Sequence, residues 1–266
     1  MNQADEVTSR TSRPADMVAV TMGTSADELA YLRDSCMRFG LEERYVELGV
    51  GQQWTGFGMR WRLIREWMES AEIEEDTWII FNDGYDTACQ QSPSMIQDVL
   101  SEFDPDRLVV SAELYPWPEE VIPLAIEHFG PIDGRYKFPC AGQYAGTRRA
   151  LDHLYRTTEI KDGADDQATL LRYLIAHPQR VTFDTDQRLF QANLYRLRND
   201  VIEEPAKKWT KTLNKDLEIR TDPSDSQKKF FYKGRDTAAC FVHANGCKYT
   251  IERLRKRAEK PAWWPF

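Results

Sequence analysis

The sequence predicts an α/β fold: one domain with a mostly parallel central sheet flanked by helices. Three observations predict it. First, an apolar run, Met17–Met22, is followed by a helical pattern and a second apolar run, Tyr45–Leu48; this β-α-β order belongs to parallel sheets. Second, residues 78–81 (WIIF) and 107–112 (RLVVSA) are near-continuous apolar runs without alternation, as expected of strands buried on both faces. Third, 266 residues with a hydrophobic fraction of 41% can enclose one sizeable core.

Taken in order, residues 1–16 are polar and predict a loose tail, with residues 17–266 forming the domain. Ser25 or Asp27 is placed to cap a helix running to about Arg38, with Leu29, Leu32 and Cys36 at helical spacing and Gly40 ending it. Residues 49–58 form a loop with four glycines and two aromatics, Trp54 and Phe57; it has neither the P-loop nor the GxGxxG spacing. A helix over 59–71 follows, with Arg60, Arg62 and Arg65 near its N-terminus, where cations oppose the helix dipole. Ser92 or Ser94 starts a helix to about Phe103, and Glu119 starts another to about His128. The small-residue run 140–146 suits a strand that something approaches closely. Thr147 and Asp165 are candidate N-caps. A short strand is expected at 181–183, loops with short elements from 195 to 234, a last apolar run at 239–242 and a basic helix over 250–260.

Charge and cysteines narrow the class. The net charge of −8 divides unevenly: residues 201–266 hold 15 Lys+Arg against 9 Asp+Glu, so the first 200 residues carry −14. The basic quarter, and the stretch 201–234 within it, reads either as an acceptor-side insertion facing an anionic partner or as solvated surface. Five scattered cysteines without a CxxC pair predict no disulfide framework. No apolar run reaches the ~20 residues that span a bilayer, and the polar N-terminus has no signal-peptide core. A cytoplasmic protein that does not engage membranes is the expectation.

The chemistry concentrates at Asp83-Gly84-Tyr85-Asp86, directly after the apolar run 78–81. Open α/β sheets bind ligands at the carboxyl ends of their strands. Two carboxylates on one turn repel each other, and a hard divalent cation relieves that repulsion, Mg²⁺ or Mn²⁺ being the natural occupants. Taken alone, the segment also reads as a strand followed by an Asp-Gly turn.

The order of the pieces LGVGQQW, IIFNDGYD, VVSAELYPWP, GADDQ, FDTDQRLFQ and FVHANG resembles the glycosyltransferase domain of the procollagen lysyl hydroxylases, a PLOD-like family with a GT-A-like, Rossmann-type fold. The resemblance covers about residues 18–264. It implies that Asp83, Asp86 and His243 ligate Mn²⁺, with Mg²⁺ as the alternative. It places Trp54, Arg60, Tyr85, Asn245 and Gly246 around a UDP-hexose donor, Glu113, Asp165 and Asp166 at the reacting sugar, and Trp117 on the acceptor side. The implied reaction moves glucose or galactose to an acceptor hydroxyl, as of hydroxylysine in a collagen-like chain. Two departures stand out: Arg60 replaces a Lys, and Cys140-Ala141-Gly142-Gln143 replaces an Asn-Ser-Gly-Gly-like strand. No hydroxylase domain is expected within this chain, and His128, His153 and His177 read as surface or core residues. That leaves two alternatives open: a bacterial or viral enzyme acting on a hydroxymethylated DNA base, and a binding module that retains UDP or glycan recognition without catalysis.

Overall fold

The structure, a computed structural model, describes residues 16–192 and 217–245. The expected N-terminal tail, residues 201–216 of the stretch 201–234, Gly246, the basic helix 250–260 and the aromatic end of the chain lie outside them.

The main sheet has six strands: β1 (Met17–Met22), β2 (Tyr45–Leu48), β3 (Trp78–Asp83), β5 (Leu108–Glu113), β6 (Phe138–Thr147) and β7 (Val181–Asp184), in the order β2-β1-β3-β6-β5-β7. All run parallel except β6, which is antiparallel to both neighbours. Both faces are covered, which explains the unalternated apolar runs. On β3, Ile79 and Phe81 enter one core with Trp61, Tyr144, Leu151 and Leu170, while Trp78 and Ile80 enter the other with Leu32, Ile96, Phe190 and Phe241. The first core is closed by α2 (Gly58–Ser70), α5 (Arg148–Thr157) and α6 (Asp166–Ala176), the second by α1 (Ala26–Arg38) and α3 (Pro93–Leu100).

Local chemistry sets the helix starts. The side chains of Ser25, Ser92, Thr147 and Asp165 each accept a backbone N–H at the N-terminus of α1, α3, α5 and α6. The helix expected from Glu119 is a 3₁₀ turn followed by α4 (Ile122–Phe129), because Pro123 fits only a first turn. Asp83, expected beyond its strand, is the last residue of β3.

A second sheet was not expected. β4 (Thr87–Cys89), β8 (Phe190–Ala192) and β11 (Phe241–His243) form it in the order β4-β11-β8. Residues 217–232, expected to be loops with short elements, contain the hairpin β9 (Leu217–Thr221) and β10 (Lys228–Tyr232). The hairpin is anchored by Lys229, whose buried ammonium bonds Gln91 at 2.8 Å and pairs with Asp222 at 2.9 Å and Asp225 at 2.7 Å. Among the described residues, no helix is long and apolar enough to cross a membrane.

Candidate active site

The site forms at the carboxyl ends of β1, β3 and β5, where a parallel sheet presents its loops. Asp83 ends β3 and Asp86 precedes β4. β11 then pairs antiparallel with β4, placing His243 opposite Thr87, and the Ala244 amide donates to the Asp86 carbonyl at 2.8 Å. This pairing delivers a residue from near the C-terminus to the two carboxylates. His243 Nε2 lies 3.1 Å from Asp86 Oδ1 and 3.5 Å from Asp83 Oδ2. One ligand atom from each of the three residues lies within 4.8 Å of the others.

Gly142 makes this approach possible, and Gly84 lets the Asp83–Asp86 turn pack against α1. A Cβ at Gly142 would collide with the His243 ring and come within 2.6 Å of Asp83 Oδ2. A Cβ at Gly84 would collide with Leu29. The small-residue run 140–146 thus marks where His243 and Asp83 press on β6. Gly142 is the site residue that sequence reasoning did not single out.

Arg60 completes the charge arrangement. Its guanidinium pairs with Asp83 on one side and with Asp166 at 2.5 Å on the other, and lies 5.1 Å from the Phe57 ring centroid. A buried cation near a helix N-terminus would be costly alone; here two carboxylates offset it. Helix α2 has no side-chain cap. Its Gly58 amide instead donates to the carbonyls of Asp162 at 2.9 Å and Ala164 at 3.1 Å. Thr55 and Arg62 also bond Asp162, so the glycine-rich loop and the 161–164 turn are fastened together. That junction sets the position of Asp165 and Asp166.

Burial dominates the site's acid–base behaviour. It pushes Asp166 up to about 7 against the opposing pull of Arg60, and Glu113 up to about 7 despite bonds from Cys140 and Asn245. For His243, burial favours the neutral ring, but the Asp86 charge and the bonds to Asp83 and Asp86 prevail and raise it well above its ordinary value. Burial would also raise Asp83, yet Arg60 and His243 hold it below the usual carboxylate range.

The remaining candidates line the same cleft of about 700 Å³. Tyr85 is fixed by its hydroxyl, which accepts from the amides of Thr24 at 2.8 Å and Ser25 at 3.3 Å. Asp165 both caps α6 and faces the cleft. The side-chain amide of Asn245 donates to Glu113. Trp54, Phe57 and Trp117 are about half exposed (46%, 51% and 52%) and stand around the opening. Gln167 joins Trp117 to the sheet: its Nε2 donates to the Trp117 carbonyl at 3.0 Å and its Oε1 accepts from the Ala141 amide at 3.3 Å.

The donor set suits a hard divalent ion. Two carboxylates and an imidazole converge in a cleft that also holds Glu28, Glu113, Asp165 and Asp166, with Arg60 and His243 as its cationic side chains among the described residues. Oxygen and imidazole ligands without a thiolate fit Mn²⁺ or Mg²⁺.

Comparison with known proteins accords with this geometry. A family model for the PLOD GT domain matches residues 13–257. The multifunctional procollagen lysine hydroxylase and glycosyltransferase of Caenorhabditis elegans is 25% identical over 247 residues, which cover 87% of this chain and 30% of that protein. The rat protein LH3, of the same description, is 27% identical over 194 residues, 67% of this chain and 25% of its own length. The chain thus spans less than a third of these relatives. Among solved structures, a glycosyltransferase involved in glycosylation of the major capsid of PBCV-1 aligns at TM-score 0.45 and 14% identity, covering 91% of this chain and 99% of its own. The galactosyltransferase LgtC, in complex with donor and acceptor sugar analogs, aligns at TM-score 0.46 and 13% identity, covering 94% and 97%. With the family model matching nearly its whole length, the chain belongs to the PLOD GT domain family and is a glycosyltransferase domain with the mostly parallel α/β sheet described above.

Proposed function

We propose that the protein transfers glucose or galactose from a UDP-sugar to an acceptor hydroxyl, with a divalent cation held by Asp83, Asp86 and His243. The observation that carries this reading is the charge of the cleft. A diphosphate would be repelled by the six carboxyl groups lining it unless a cation came between. The Asp83–Asp86–His243 cluster is where such a cation fits.

When bound, Mn²⁺ or Mg²⁺ would neutralise charge building on the departing nucleotide diphosphate. The chain's own residues do the rest. Arg60 reaches the phosphates from α2, Trp54 and Tyr85 flank the nucleotide, and Asn245 stands beside the diphosphate, where the family resemblance also assigns Gly246. Asp165 and Asp166 orient sugar hydroxyls at the start of α6. Glu113 and Trp117 define the acceptor side, and the half-exposed Trp117 offers an apolar face to the incoming group. The proposed acceptor is hydroxylysine in a collagen-like chain, supported by the names of the relatives.

Incubation with UDP-glucose and UDP-galactose in Mn²⁺, with and without a hydroxylysine-containing peptide, tests the reading. Free UDP together with a hexose mass added to the peptide is the expected result. Turnover on hydroxymethylated DNA alone, falling steeply with salt, would replace the acceptor. Absence of any turnover beside tight UDP binding would make the protein a binding module.

A further inference from the structure

His243 is held on three sides. Its Nε2 faces Asp86 and Asp83, and its Cε1 edge is covered by Gly142. Its Nδ1 lies 3.7 Å from the sulfur of Cys140. Cys140 and Gly142 are two positions apart on β6, where the strand leaves its ladder: Val110 of β5 pairs with Tyr144, but the next residue, Ser111, pairs with Cys140. Residues 141–143 therefore bulge out of the β5 pairing at the point where His243 arrives. Such interruptions re-aim side chains beside active sites.

The cysteine is 2% exposed and has further partners. Asn245 Nδ2 lies 3.4 Å from its sulfur and also donates to the Glu113 carboxyl. A buried polar chain, Glu113–Asn245–Cys140–His243, thereby links β5, β6 and β11. Imidazoles that ligate through one ring nitrogen carry their proton on the other and give it to a fixed acceptor, which sets the ring's orientation. At His243 Nδ1, the atom within reach is the Cys140 sulfur, 3.7 Å away.

Resting on the metal site proposed above, the geometry points to Cys140 as a positioning residue: its sulfur accepts the His243 Nδ1–H and fixes the ring so that Nε2 faces the cation shared with Asp83 and Asp86. Cys140 does not touch the cation or the reacting atoms. It acts through His243.

The test is Mn²⁺ binding, read by electron paramagnetic resonance, in the wild-type protein, Cys140→Ala and Cys140→Ser, with the visible spectrum of the Co²⁺ forms and the melting temperature of each. Cys140→Ala is expected to weaken Mn²⁺ about tenfold, the lower end for loss of a ligand's outer partner, and to alter the Co²⁺ spectrum. Cys140→Ser, which keeps an acceptor, is expected to recover most of the affinity. Unchanged affinity and spectrum in Cys140→Ala would overturn the assignment. So would equal weakening in the alanine and serine variants, the mark of a packing role. Should Cys140→Ala not fold, Cys140→Val against Cys140→Ser makes the same comparison. If the wild-type protein itself binds neither ion, the metal site falls and this assignment falls with it.

Discussion

Arg60 balances two carboxylates at once: it faces Asp83 and Asp166 together and is itself buried. Arg60→Met should leave two crowded carboxylates without their cation. Removing one partner of a buried pair costs about 3–5 kcal/mol, measurable as a lower urea midpoint of metal-free protein, and added Mn²⁺ should restore part of it. The titrating groups give a second prediction. Below about pH 4 Asp166 and Glu113 are protonated in both folded and unfolded chains. Above that, the folded chain keeps protons that the unfolded chain has released, up to about pH 7. His243, raised in the folded state, loses its stabilising contribution in the same direction. Metal-free protein should therefore become less stable as pH rises from 5 to 8, measured by denaturant melts, and Asp166→Asn should flatten the fall. Stabilisation by Mn²⁺ should grow over the same range, since metal and protons compete for the ligands. Asp83 and Asp86 were legible in the sequence because they crowd one turn. Arg60 was legible as an anomaly, a cation at the wrong end of a helix. Gly142 and Cys140 were legible only as part of a small-residue run that something approaches closely; what approaches was not, because the ring comes from about a hundred residues further along the chain.

The junction between the N-terminus of α2 and the 161–164 turn is the element on which the proposed donor side rests. A Cβ at Gly58 would collide with the Lys161 carbonyl, a backbone atom that cannot step aside as a side chain can. Gly58→Ala should lift the turn, move Asp166 from Arg60 and raise the donor KM about tenfold. Its stability cost should be about 1–3 kcal/mol, as for other overpacked sites. A KM within twofold of wild type would show that the turn does not position the site. The longer elements were readable from period and punctuation: β1, α1 and β2 lie where the apolar runs and Ser25 placed them. The second sheet was not. β4 and β11 are three residues each, and β4 has no apolar run to announce it. They become strands only by pairing across more than 150 residues of chain, which no local pattern encodes. The β9–β10 hairpin was obscured by its charge; a lysine is seldom buried, yet Asp222, Asp225 and Gln91 allow Lys229 to be.

Across the whole molecule, two covered faces of one sheet leave the strand ends as the place for a deep cleft, and the charge of that cleft determines what can enter. The acidic balance of the first 200 residues is visible there as carboxylates gathered around Arg60 and His243. Such a cleft attracts a cation by itself, whereas a nucleotide diphosphate is accommodated only together with one. The order of motifs along the chain carried the family, while the convergence of Asp83, Asp86 and His243 needed the folded sheet to bring it about. The central claim is that donor cleavage requires a cation held by this cluster. It is tested most directly by UDP release from UDP-glucose and UDP-galactose, comparing wild-type protein with Asp83→Ala, each stripped with chelator and then resupplied with Mn²⁺. Turnover is expected from the resupplied wild-type protein alone, with the folded Asp83→Ala variant inactive at every Mn²⁺ concentration. Full turnover by the stripped wild-type protein, or by Asp83→Ala, would contradict it.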